Sequence, residues 1–250
     1  MTNFINLLPA LIGLLILGLY LLAIKMGILK NSRWFSKIGY GFLVMFFTAI
    51  VLLCVWWVFF LDAKPTANFK NKIMEANTAL IFGFGYEENC CGKMLPGVSN
   101  SELYEQAIND AEYQYLIMQE GVMVAAPNDG LRNIQMHPHT AAIHINTIEA
   151  AKYAILKMDS LNEKKAIVYA HSDQLARAVY DLKRVAASNP KWQDFEFITP
   201  AIPPTSYPRK SVQKYTRFAI TYVPMELFYM RPRDTLYKLS WLKDITLTNE

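Results

Sequence analysis

Three cysteines in 250 residues are too few for a disulfide framework. Their spacing fits no zinc site either: Cys54 lies in an apolar run, and Cys90 and Cys91 are adjacent. They read as unmodified thiols, with a vicinal disulfide open only to a loop that faces an oxidising compartment. Charge is scarce, at 18% of residues, and 25 Lys and Arg against 21 Asp and Glu leave a dispersed net +4. That excess is too small to point to nucleic acid; anionic lipid headgroups are the polyanion it suits. There are four histidines, and His137, His139 and His144 fall close together. No H-x-x-x-H stands on a helix and no nearby Cys or acid completes a shell, so the three read as loop side chains and no metal is expected. Internal repeats and low-complexity tracts are absent.

Apolar residues, by contrast, make up 53% of the chain. Residues 4–29 are almost wholly apolar until Lys25, and residues 38–61 contain no charge. Each run exceeds the roughly 20 residues that cross a bilayer. The first lacks a basic n-region and a small-residue exit, so it reads as a retained anchor. Trp34, Trp56 and Trp57 stand near span ends, where indoles favour the interface. The connector carries Lys25, Lys30, Arg33 and Lys37 without an acid, which places it in the cytoplasm and both chain ends outside. The expected organisation is a two-helix transmembrane hairpin over 1–61, a juxtamembrane linker over 62–77, an α/β domain over 78–231 and a tail over 232–250. The expected location is the plasma membrane, with the C-terminal domain on the periplasmic or extracellular side.

Within the outer domain, the stretch 165–184 reads as a buried strand (166–170), a polar turn and a helix. In open α/β sheets, ligands sit where strands give way to helices. The run 78–82 reads as a first, central strand ending in Gly83-Phe84-Gly85. This Gly-x-Gly lacks the third glycine and the later acid of a dinucleotide fingerprint, so a tight turn is the simpler account. Ser99 and Glu102 have capping-box spacing, which predicts a helix from there to about residue 120, stopped by Gly121. Residues 122–126 then read as the second strand, closed by a turn at 127–130 in which Asp129 serves turn chemistry or touches a ligand.

Residues 131–146 read as irregular. Asn146 and Glu149 repeat the capping-box spacing and open a helix over 147–161. Its N-terminus is a natural anion site, and Glu149 is either the cap partner alone or a proton-transfer group. Arg177 falls in the first turn of the helix after His171, where the helix dipole disfavours a cation. It therefore asks for an anion, with Glu149 the first protein candidate. Residues 195–199 read as the next strand, 200–208 as a proline-rich crossover, and 210–230 as helical with a break at Pro224.

These features together resemble the YdcF-like family (domain of unknown function 218), which includes the membrane-anchored SanA- and ElyC-like envelope proteins. The order is similar across residues 79–229: a first strand ending in Gly-x-Gly, a turn glycine at Gly130, and Asn146-Thr147-Ile148-Glu149-Ala150-Ala151 beside the family's N-T-x-E-N-A. A strand then leads to Arg177-Ala178 beside the end of the family's T-S-x-x-H-x-x-R-A, and Glu226 lies near a family acidic position. In this chain the family's Thr-Ser falls on Ala170-His171, its histidine on Gln174 and its second Asn on Ala150.

The resemblance implies a Rossmann-like, three-layer α/β domain with a mainly parallel sheet, in a protein of the cell envelope. It further implies action on, or binding of, phosphorylated cell-wall or lipid-carrier precursors. A non-catalytic ligand-binding or scaffold protein is the alternative. On this reading the catalytic candidates are Glu149 and His171. The ligand-binding candidates are Gly83, Gly85, Asp129, Asn146, Thr147 and Arg177, with no cofactor assigned. All are expected to converge at one end of the sheet.

Overall fold

The structure is a computed structural model; it describes residues 66–126, 132–137, 146–200 and 206–242, with Thr48 and Ile245. The expected spans at 4–29 and 38–61, their connector, Asp129 with its turn, His139, His144 and most of the proline-rich crossover lie outside the described residues. Among the described residues no helix is long and apolar enough to cross a membrane.

Residues Ala63–Glu250 form one compact unit. Its centre is a five-stranded, all-parallel sheet of β1 (Thr78–Ile81), β4 (Tyr115–Met118), β5 (Asn133–Gln135), β6 (Lys165–Tyr169) and β7 (Glu196–Ile198), in the spatial order β5-β4-β1-β6-β7. β1 is central because it is buried on both faces and pairs with β4 on one side and β6 on the other. A two-stranded antiparallel ribbon, β2 (Glu87–Glu88) and β3 (Met94–Leu95), stands apart from the sheet.

The period-2 alternation of β1 divides the core. Leu80 and Phe82 pack with α4 (Thr147–Ser160) and α5 (Ser172–Ala187), through Ile148, Ile155, Leu175 and Leu182. Ala79 and Ile81 pack on the other face with α1 (Phe69–Ile73) and α2 (Gly97–Asp110), through Ile73, Leu103 and Ala107. Helices on both faces of a parallel sheet, with the first strand inside, make the Rossmann-like α/β arrangement. A third cluster, Phe84 with Tyr222 and Met230, holds a C-terminal lobe against the loop after β1. That lobe contains α6 (Ala219–Met225), a π-helical turn (Glu226–Met230) and α7 (Arg231–Leu236). Pro224 lies inside α6, just before the switch to π geometry, as expected where a ring denies the helix a backbone donor.

Three expectations are corrected. The helix expected from Ser99 to residue 120 begins at Gly97 and ends at Asp110, where Ala111 turns extended. Ser99 is buried inside it and caps nothing. The second strand is Tyr115–Met118, and a short helix, α3 (Glu120–Met123), takes the first two residues of the run expected as a strand. Two apolar runs compete for the slot beside β1. The β-forming YLIM takes it in register with Thr78–Ile81, where three of its four residues become buried. The stretch 131–146, expected to be irregular, contains the edge strand β5, paired with β4.

Candidate functional site

In a sheet of this order the chain leaves β1 toward β4 and leaves β6 toward β7, so the loops after β1 and β6 diverge and leave a crevice. A cleft of about 770 Å³ lies there. Gly83 and Gly85 border it from the loop after β1, Gln119 from the loop after β4, and Asn146 and Thr147 from the start of α4. Gln174 and Arg177 border it from the first turns of α5. Five of the eight residues singled out by sequence, Gly83, Gly85, Asn146, Thr147 and Arg177, therefore share one cavity wall.

The glycine loop is built by side chains rather than held open for a phosphate. Gly83 N–H donates to Gln119 Oε1 at 2.7 Å and Phe84 N–H to Asn100 Oδ1 at 2.7 Å. Asn100 Nδ2 in turn donates to the carbonyls of Gly85, at 2.6 Å, and Pro96, at 2.8 Å. Gly85 alone in the pair needs to be glycine: its φ is +67°, and a Cβ would stand 2.5 Å from Thr216 Oγ1 and 2.7 Å from Ser211 Oγ. At Gly83 the nearest atoms to a Cβ are at 3.6 Å, and φ is unremarkable.

The start of α4 carries the expected capping box. Asn146 Oδ1 accepts from Glu149 N–H at 2.9 Å, and Glu149 Oε2 accepts from Asn146 N–H at 3.1 Å. The second oxygen of Glu149, Oε1, accepts from the Tyr237 hydroxyl at 3.0 Å. Burial and then this bond push the Tyr237 hydroxyl up to about 12. Glu149 is thus engaged on both oxygens and does not border the cleft.

Arg177 is 5% exposed and spends its guanidinium on acids other than Glu149. Nε donates to Glu226 Oε1 at 2.9 Å and Oε2 at 3.0 Å; Nη1 donates to Asp234 Oδ2 at 2.9 Å and to Thr147 Oγ1. The expected Glu149 partnership is replaced because Glu149 is held by its own cap and by Tyr237. Nη2 has weaker company, the Tyr222 hydroxyl at 3.4 Å and the Met230 sulfur at 3.6 Å, and both of these residues border the cleft. Burial opposes the guanidinium charge, but the carboxylates of Glu226 and then Asp234 outweigh it and hold the group charged. One turn further along α5, Asp181 is fully buried, and neither of its carboxyl oxygens has a hydrogen-bond partner. Burial first, then the nearby Asp234, opposed by Arg177, pushes its carboxyl up to about 8.

His171 caps α5, its Nδ1 accepting from Asp173 N–H at 3.3 Å. Its ring lies flat on Phe84, with centroids 3.8 Å apart, and meets Tyr207 edge-on at 4.6 Å. It is fully buried in that aromatic stack and does not border the cleft. Gln174 does border it. Gln174 is 6% exposed, and its Oε1 is buried without a hydrogen-bond partner. His137, just beyond β5, also borders the cleft, beside Tyr153.

Several residues that shape the cleft wall or hold Arg177 carry no local signal in the sequence. Asn100 lies in the first turn of α2, Gln119 follows an unassigned strand, and Asp234 lies in the tail. Glu226 stands in the C-terminal segment expected only to be helical with a break at Pro224. Among the described residues no group of three His, Cys, Asp or Glu side chains is placed to hold a metal ion. No protein-family model, curated protein or solved structure matches the chain.

Proposed function

We propose that this chain is a membrane-anchored envelope protein whose outward-facing domain binds a phosphorylated cell-wall or lipid-carrier precursor without turning it over. The observation that carries the reading is the pair Gln174 and Arg177, one turn apart on α5 at the switch-point cleft. A buried acceptor without a donor, Gln174 Oε1, calls for a ligand hydroxyl or N–H. Arg177 borders the cleft, and its Nη2, held only by long contacts to the Tyr222 hydroxyl and the Met230 sulfur, keeps a donor for an oxyanion. A lipid-linked sugar phosphate carries both groups. The positive end of the α4 dipole, at Asn146 and Thr147 on the same wall, favours the anion further.

Binding is preferred to catalysis because of what each proton-transfer candidate is doing. Glu149 closes a capping box, His171 is sealed in an aromatic stack, and a carboxamide at position 174 does not titrate.

The test is titration of the purified full-length chain in detergent with a short-chain polyprenyl diphosphate sugar, beside the same lipid without phosphate. Binding of the phosphorylated lipid is expected, with affinity at least about tenfold lower in Gln174→Leu. Equal affinity for both lipids would defeat the phosphate assignment, and release of product would restore an enzyme. Orientation is tested separately by an impermeant thiol reagent on Ser32→Cys and Asn249→Cys in intact cells. Labelling at position 249 but not at 32 is expected; the reverse pattern inverts the topology.

A further inference from the structure

From Glu196 to Glu226 the chain carries no acidic residue between the two, while Arg209, Lys210, Lys214 and Arg217 fall close together inside that interval. Arg209, Lys210 and Lys214 are exposed. Among them stand large apolar side chains that the fold leaves in solvent: Val212 at 41%, Phe218 at 49% and Ile220 at 82% exposure. The segment is nevertheless built, not loose. Val212 N–H donates to Tyr86 O at 2.8 Å, and Thr216 Oγ1 bonds Ser211 Oγ at 2.8 Å. Arg217 Nε donates to Ser211 O at 2.6 Å, and Tyr222 N–H donates to Phe218 O at 3.0 Å. Its inward side chains Thr216 and Tyr222 are buried and border the cleft.

A fixed lobe with a polar, cleft-lining inner side and exposed apolar and cationic groups has a definite complement. We infer that residues 209–220 dock on an anionic lipid surface, the bases meeting headgroups and Phe218 and Ile220 entering the headgroup–acyl boundary. Exposed bases with no acid in the interval match negative phosphates. An aliphatic side chain as exposed as Ile220 gains by entering an apolar phase. Exposed rings with bases beside them continue on the following segment, where Lys238 lies over the Trp241 ring and Arg233, ion-paired with Asp234, lies over the Tyr229 ring, with Tyr229 and Trp241 both exposed.

The inference rests on the membrane-anchored reading above and deepens it. A lobe seated on the bilayer brings the cleft's rim to the headgroups, so a lipid-linked ligand presents its polar end to Gln174 and Arg177 while its chain stays in the membrane. Tethering makes the contact effectively intramolecular, so a weak interface suffices.

The experiment uses the full-length chain with Cys54, Cys90 and Cys91 changed to Ser and a fluorophore on Ile220→Cys. A second preparation carries it on Ile108→Cys, an exposed position on α2. Both are reconstituted into vesicles bearing a headgroup quencher, with or without phosphatidylglycerol, and recovered by flotation. Quenching at position 220 is expected to exceed that at 108 at least about twofold, to grow with phosphatidylglycerol, and to fall to the control level in Arg209→Glu/Lys210→Glu/Lys214→Glu. Equal quenching at both positions in floated protein overturns the docking inference and leaves the anchor intact. Protein that does not float overturns both. Protection of position 220 by contact between copies, shown by its cross-linking in place of quenching, overturns docking in favour of self-association.

Discussion

Arg177 Nε lies 2.9 and 3.0 Å from the two carboxylate oxygens of Glu226, with both side chains sealed from solvent. Asp234, on Nη1, is shared with Arg233, whose Nη2 lies 2.6 Å from Asp234 Oδ1, so the arrangement is two cations and two acids. A third carboxyl, Asp181, stays uncharged beside them at neutral pH, because burial and Asp234 hold its proton. Removing one member of such a set strands the others in low dielectric. Glu226→Gln is therefore expected to lower stability by about 3–5 kcal/mol. Denaturant unfolding of the full-length protein measures it. A loss of under about 1 kcal/mol would mean that the pair is solvated.

Asp181 makes stability depend on pH with an unusual sign. An unfolded carboxyl titrates near about 3.9, whereas this one is pushed up to about 8 in the fold. Between those values the native state holds a proton that the unfolded chain has released, so stability falls as pH rises through that window and levels off above it. Asp181→Asn removes the dependence. Its stability relative to the parent should rise from pH 4 to pH 8, by a few kcal/mol at most. Parallel pH–stability curves for the two proteins would refute this.

Gly85 and Gly83 should respond differently to the same change. Gly85→Ala forces a side chain into left-handed backbone and against Thr216 and Ser211, at a cost of about 1–3 kcal/mol. Gly83→Ala meets nothing closer than 3.6 Å and should cost under about 1 kcal/mol. Thermal unfolding of the two variants, side by side, decides the point; similar losses would show that the loop itself tolerates no Cβ.

Gln174 should show the signature of a residue kept for binding at the expense of stability. Replacing a buried carboxamide whose Oε1 has no hydrogen-bond partner by Leu removes a desolvation penalty, so Gln174→Leu should be as stable as the parent or more so, by up to about 1–2 kcal/mol. Ligand affinity should drop in the same variant. A destabilised Gln174→Leu would mean that the amide supports the fold.

What could be read from sequence was what closes locally. The Asn146–Glu149 box spans four residues, and its helix formed where the spacing indicated. The β6–α5 unit has its own apolar run, polar turn and stripe, and it too formed as read. The choice between YLIM and VMVAA for the second strand was different: each is a short apolar run. Pairing with β1, through Thr78 opposite Tyr115, made the decision. The same limit applied at Arg177. A cation in the first turn of a helix announced that an anion was needed, but its partners lie 49 and 57 residues away, in segments without a strong pattern. Asn100 gave no signal at all, because its two donated bonds and one accepted bond close a loop only once α2 has folded beside it.

That separation along the chain has a consequence for synthesis. A ribosome delivers Arg177 before Glu226 and Asp234 exist, so the amino-terminal half of α5 meets the growing sheet with a guanidinium that has no counter-ion. Sealing it then would cost several kcal/mol, and the nascent domain is expected to leave that edge hydrated until the last acids emerge. The emergence of Glu226 and Asp234 thus acts as the trigger for final compaction. A ribosome-stalled chain ending before residue 226 should be cleaved readily by protease near α5, whereas the finished protein should resist.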